Sequence, residues 1–93
     1  MITLEQVKAD LRVTHDEDDG LLEILLNGAT DEALLYMNRA QLPTVDDVVV
    51  GSVYTAVFLL VRGMYDTTDP AQMTAIRQRA EVMLQPYRQD LGL

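Results

Sequence analysis

The stretch TVDDVVVGSVYTAVFLLVRGMYD, running from Thr44 to Asp66, decides the fold. Stepped at ~100° per residue, Val49, Val50, Val53, Tyr54, Ala56, Val57, Phe58, Leu60, Val61, Met64 and Tyr65 cover an arc of roughly 200°, about twice the apolar stripe of an ordinary surface helix. Such a helix must be covered on two sides. Its polar strip holds Asp47, Gly51, Thr55, Arg62 and Asp66. The seven valines between Val45 and Val61 would suit a strand by propensity alone, but strict alternation is absent and a run of about 20 residues exceeds a usual strand. Thr44 followed three residues later by Asp47 supplies an N-cap pattern. The pattern predicts one long central helix from Thr44 to Asp66, with the other segments packed around it.

Upstream, Thr3-Leu4-Glu5-Gln6 is a capping box, and Leu4, Val7 and Leu11 give a short amphipathic helix that ends near Leu11 or Arg12. The acids of His15-Asp16-Glu17-Asp18-Asp19-Gly20 crowd the next helix start, with Asp16 as expected N-cap and Asp18 and Asp19 in a first turn where the macrodipole favours negative charge. From there to about Asn38 the main apolar face is Leu22, Leu25, Leu26, Ala29, Ala33, Tyr36 and Met37, a core stripe. A second, narrower stripe of Leu21, Ile24, Gly28 and Leu35 lies on the side away from Ala29, bordered by Asp31 and Glu32. Three large apolar residues with a glycine permitting close approach are read as a subunit contact.

Downstream, Pro43 stops the connection 38–43 from continuing as helix. Thr67-Thr68-Asp69-Pro70 is a second break, with Asp69 as N-cap and Pro70 at the first helical position. A fourth helix follows with Met73, Ile76, Ala80, Met83 and Leu84 as its stripe, and Pro86 ends it. The expected fold is therefore all-α, a small bundle of about four helices in a single domain over residues 1–93. Residues 1–86 form the helical body and 87–93 an extended tail.

Ninety-three residues leave room for one core, and no cysteine is present to supply disulfides. Association with other subunits is a natural source of further stability. The absence of cysteine fits a reducing compartment, and the segment MITLEQVKADLR has neither the basic start nor the apolar core of a signal peptide, so the expectation is a protein that stays inside the cell that makes it. The apolar stretch from Val48 to Val61 is 14 residues long, whereas a membrane span needs ~20, so no membrane partner is expected.

Net charge is −8 and unevenly placed: residues 1–69 hold 13 acids against 4 bases, and residues 70–93 hold 2 acids against Arg77, Arg79 and Arg88. The body repels polyanions. That balance argues against direct duplex binding by this chain alone.

No catalytic, cofactor or metal site emerges. A calcium loop needs a glycine at its sixth position and a glutamate at its twelfth; counted from Asp16, Gly20 is fifth and Asn27 is twelfth. His15 is the only histidine, so no triad and no histidine pair for a metal exists. Asp46 with Asp47, and Glu81 with Asp90, are read as solvated faces. Tyr36, Tyr54 and Tyr65 fall on core faces without positive charge beside them, which argues against base stacking. Leu84-Gln85-Pro86-Tyr87-Arg88 sets an aromatic and a cation just after a proline stop. Two readings of it stand side by side: a short docking tail, or Tyr87 folded back to seal the bundle.

The run Thr3-Leu4-Glu5-Gln6-Val7-Lys8 with Leu11-Arg12-Val13, the acidic turn from Asp16 to Asp19 leading into Leu21-Leu22, and the long helix with Ala29 resemble the start of the head–tail connector (adaptor, head-completion) proteins of long-tailed bacteriophages. Pro43, the apolar helix reaching Leu59-Leu60-Val61 and Tyr65-Asp66, and the closing Leu84-Gln85-Pro86-Tyr87-Arg88 are similar to that family's second half. The resemblance spans nearly the whole chain. It implies a non-enzymatic virion protein at the head–tail junction, made in the bacterial host cytoplasm. It further implies a homo-oligomeric ring of roughly a dozen subunits that joins the portal to the tail or next head-completion protein and extends the channel through which DNA passes without specific binding. On that reading Leu21, Ile24, Gly28 and Leu35 meet a neighbour, and Arg77, Arg79 and Arg88 face an acidic surface. Tyr87, Arg88 and Leu91 dock on the portal or next connector, and some of Glu17, Asp18, Asp19, Asp46, Asp47 and Asp66 line an acidic channel that lets phosphate slide. The competing class is a small acidic cytosolic interaction module working as monomer or dimer, which would share the composition and the helix count.

Overall fold

The computed structural model describes residues 2–89. Four helices are present, α1 (Leu4–Leu11), α2 (Asp19–Met37), α3 (Gly51–Asp66) and α4 (Pro70–Leu84), with a two-strand hairpin, β1 (Thr44–Val45) and β2 (Val48–Val49), between α2 and α3. A 3₁₀ turn, Gln85–Tyr87, closes the described chain. The mainly helical bundle agrees with the expectation from the sequence, and α3 is its centre, packing against both α4 and α2.

The core is the sum of the stripes. Val53, Ala56, Val57, Leu60 and Val61 of α3 are buried together with Leu22, Leu26, Ala29, Ala33 and Met37 of α2, Ala80 and Leu84 of α4, and Val7 of α1. Each large side chain fully withdrawn from water contributes roughly 1.5–3 kcal/mol, so this cluster, with no buried polar or charged residue inside it, is the main source of stability.

Start and stop signals act largely as local chemistry dictates. Thr3 and Gln6 form the reciprocal capping box of α1: the Gln6 amide donates to the Thr3 hydroxyl at 3.2 Å and the Thr3 amide to Gln6 Oε1 at 2.8 Å. Asp69 Oδ1 accepts from the Ala71 amide at 2.9 Å at the start of α4. Arg12 and Asn38 end α1 and α2 in the left-handed conformation, φ 61° and 55°, and the amides of Val13 and Arg39 reach back to the carbonyls of Lys8 and Leu34. Both ends are Schellman closures built without glycine.

Three boundaries differ from the sequence expectation. The central helix begins at Gly51, not at Thr44. Asp46 and Asp47 take φ of 52° and 64°, the two positive values of a tight hairpin turn. Thr44 then pairs with Val49 and Val45 with Val48, so the β-branched run that argued for a strand does form one locally. The second helix begins at Asp19, not Asp16. Asp18 stands at its N-cap without a side-chain cap bond, because its carboxylate accepts from the Tyr65 hydroxyl at 2.6 Å, while Asp16 accepts from Lys8 Nζ at 2.7 Å. Finally, Gln85–Tyr87 form a 3₁₀ turn, so Tyr87 belongs to a turn held to the body and does not begin the extended tail expected over 87–93, whose residues 90–93 lie outside the described residues.

Gly63 sits on the α3–α4 seam. A Cβ there would lie 2.9 Å from Met73 Sδ and 3.0 Å from Ile76 Cδ1. Gly63→Ala is expected to be near neutral in urea unfolding, since about 1 kcal/mol of helix propensity opposes the displacement of two flexible side chains. Gly63→Leu overpacks the seam and should cost about 1–3 kcal/mol with helical dichroism retained at low denaturant; an unchanged midpoint would mean that α3 and α4 do not meet there.

Candidate functional site

The outer side of α2 carries the second stripe that its sequence predicted. Leu21, Ile24 and Leu35 are 49%, 69% and 79% exposed. Gly28, between them, has nothing within 4 Å of where a Cβ would stand. A glycine inside a helix costs up to about 1 kcal/mol against alanine, and no contact within the chain asks for it here. The stripe is thus an apolar band in water with a shallow centre, while the opposite side of the same helix is core.

Of the six predicted acids, three are held by partners in the chain. Asp19 Oδ1 lies 2.7 Å from Lys8 Nζ, Asp18 accepts from Tyr65, and Asp66 stands 3.8 Å from Arg62 one helical turn back. Glu17 is exposed in the turn before α2, and Asp46 and Asp47 are exposed at the hairpin tip. Lys8 bridges Asp16 and Asp19 and so fastens α1 to the start of α2. Its hydrogen bonds to Asp16 and then Asp19 raise the lysine above its ordinary value, and the same bond to Lys8 lowers Asp16. Their stabilisation therefore holds between the ordinary carboxylate and lysine ranges. It is lost as pH falls through the lowered Asp16 value or rises through the raised Lys8 value.

The two tyrosines of α3 tie the helix to the acids around it. The Tyr54 hydroxyl donates to Asp10 Oδ2 on α1, and burial, followed by that hydrogen bond, pushes its ionisation up to about 12. Tyr65 is raised by its bond to Asp18 and, secondarily, by burial. Residues 10 and 54 are too far apart in the chain for any periodicity to join them, so sequence reasoning placed Tyr54 on the core face and missed its partner.

The predicted basic residues part company. Arg77 Nε is 2.8 Å from Glu32 Oε1, joining α4 to α2. Arg79 is exposed and lies beside Leu59, Ala75 and Ile76. Arg88 stacks over the Tyr36 ring at 5.2 Å from its centroid. Tyr87 is half-buried against the core, and its carbonyl accepts from Arg39 Nε at 2.6 Å. The Gln89 amide donates to the Met37 carbonyl at 2.8 Å, and Asn38 Nδ2 donates to the Gln89 carbonyl at 3.2 Å. Residues 85–89 thus form a strap across the C-terminal end of α2. Leu91, the third residue assigned to docking, lies outside the described residues.

Among the described residues no three His, Cys, Asp or Glu side chains gather as a metal site, and no helix is long and apolar enough to cross a membrane. An open groove of about 440 Å³ runs between α2 and the hairpin and is lined by apolar Ile2, Leu26, Leu34, Leu42 and Val49 with a few neutral polar groups.

These features describe a small helical domain whose outward-facing chemistry consists of contact surfaces. Residues 1–88 match the family described as Phage gp6-like head-tail connector protein, and the chain belongs to that family. The family is structural, which makes the protein a virion component that works among other phage head and tail proteins. No curated protein and no solved structure matches the chain significantly.

Tyr54 should ionise well above an ordinary tyrosine in a tyrosinate absorbance titration, near pH 12. Because its folded value is raised, the stability it contributes is fully present below the ordinary tyrosine value of about 10 and is lost as pH climbs through the raised value. Tyr54→Phe should remove the highest step of the titration and flatten the alkaline loss of stability. A titration that keeps that step in the variant overturns the assignment.

Proposed function

We propose that the protein forms a homo-oligomeric ring of about a dozen copies that joins the portal of the phage head to the tail, or to the next head-completion protein, and lengthens the DNA channel. The observation that carries this reading is the exposed band of Leu21, Ile24, Gly28 and Leu35 on α2. A helix apolar on two opposite sides, one buried in its own core and one in water, is suited to burying the second against a neighbour. Membership of a head–tail connector family supplies the setting.

Charge supports the same picture. With a net charge of −8, a ring of copies presents a lumen that repels phosphate, so DNA slides and is not held. Of the six acids, Glu17, exposed in the turn before α2, is the one best suited to that surface. Arg77 is already paired with Glu32, which leaves Arg79 as the cation of α4 for an acidic neighbour. The strap ending in Tyr87 and Arg88 supplies the side for docking on the portal or on the protein that follows.

Light scattering across a concentration series, alone and with purified portal, tests the ring. Ile24→Lys with Leu35→Lys should change folding stability by less than about 0.5 kcal/mol, since both residues are exposed, yet abolish assembly. A double variant that assembles like the parent protein removes α2 from the interface. A monomer or dimer indifferent to portal overturns the ring.

A further inference from the structure

The hairpin has a projecting tip that the core does not use. Val45 and Val48 are a cross-strand pair, so they share one face, and they are 65% and 68% exposed. Between them stand Asp46 and Asp47, both with positive φ. Asparagine followed by glycine is the ordinary pair for such a turn, and two aspartates hold it at a steric cost. Val49, next along β2, faces the body and packs against its core. The tip is thus an exposed apolar pair carrying two carboxylates, with Asp47 and Val48 at the edge of a hollow they share with Ile2, Gln6 and Tyr54 of the body.

A matching hollow lies elsewhere on the chain. A groove of about 440 Å³ between α3 and α4 is lined by Leu59, Ala75, Ile76 and Arg79, sharing no residue with the hairpin. Arg79 is exposed and makes no ion pair among the described residues. Arg62, one turn along α3 from Leu59, is exposed and meets Asp66 only at 3.8 Å. The hollow therefore has an apolar floor and the Arg79 guanidinium in its lining, with Arg62 outside that lining one turn along α3, the reverse of the tip in charge and alike in polarity.

We infer that the hairpin tip of one copy seats in the α3–α4 groove of a second copy, with Val45 and Val48 on Leu59 and Ile76 and with Asp46 and Asp47 toward Arg79 and Arg62. This rests on the ring reading and adds a direction to it. Tip and groove are different patches, so each copy offers one and receives the other, and repetition of such a head-to-tail contact closes a ring or grows a filament.

The chain has no cysteine, which permits a clean test on the full-length protein. Val48→Cys and Ala75→Cys are made separately, mixed under conditions where light scattering reports assembly, alone or with portal, and oxidised. A several-fold excess of the mixed disulfide dimer over either like dimer is the expected result. Assembly without that excess overturns the tip–groove contact and leaves the ring standing; absence of assembly under every condition overturns both. As a second measurement, Asp46→Asn with Asp47→Gly keeps a residue pair suited to the turn and removes its charge. It should raise the concentration for half-assembly roughly three- to tenfold at low salt, the effect of losing one or two exposed ion pairs, and the difference should shrink as salt is added. An unchanged midpoint at low salt counts against the charge complement.

Discussion

The structure depends on covering α3. Its apolar surface reaches most of the way round the helix, so no single neighbour can shield it, and the chain answers with α2 on one side and α4 on the other. Gly63 lets α4 come close, Met73 and Ile76 filling the space that a side chain there would take. The polar ties lie around this arrangement and fix its edges: Lys8 to the start of α2, Tyr54 to α1, Tyr65 to Asp18, Arg77 to Glu32. Because these bonds sit at or near the surface, each contributes modestly against the burial they surround.

Helix positions were legible wherever spacing and capping agreed. Thr3 with Gln6, Asp69 with Pro70, and the stripe from Leu22 to Met37 each carry a local signal whose outcome the rest of the molecule does not oppose. The start of α3 was not legible in the same way. Thr44 and Asp47 fit an N-cap pattern, and the valines beyond them fit either a strand or an apolar helix face, so local chemistry left two states close in energy. The antiparallel ladder won through a turn of two aspartates with positive φ, a conformation that no simple residue preference announces. The hairpin also moves Asp46 and Asp47 from a helix flank to a projecting tip, which changes the role open to them.

The outward features divide along the same line. The exposed band on α2 follows from helical periodicity, because a residue's side of a helix is fixed once the core side is known. What the acids and arginines do was hidden, since their partners come from distant segments: Asp18 from Tyr65, Glu32 from Arg77, Tyr36 from Arg88. A charged residue read from sequence is only a candidate until its nearest opposite charge is known. Here that knowledge separates acids bound up in holding helices together from those left facing water.

The strap over the end of α2 is fastened mainly through its own main chain. Arg39 holds the carbonyl of Tyr87, Asn38 the carbonyl of Gln89, and Met37 the amide of Gln89. Fastening of this kind is indifferent to which side chains the strap displays, apart from the half-buried ring of Tyr87 and the Arg88 guanidinium over Tyr36. The displayed residues at positions 85 and 89 are therefore open to replacement while their location on the body stays put, so the surface at this end of the bundle can be rewritten without renegotiating the fold.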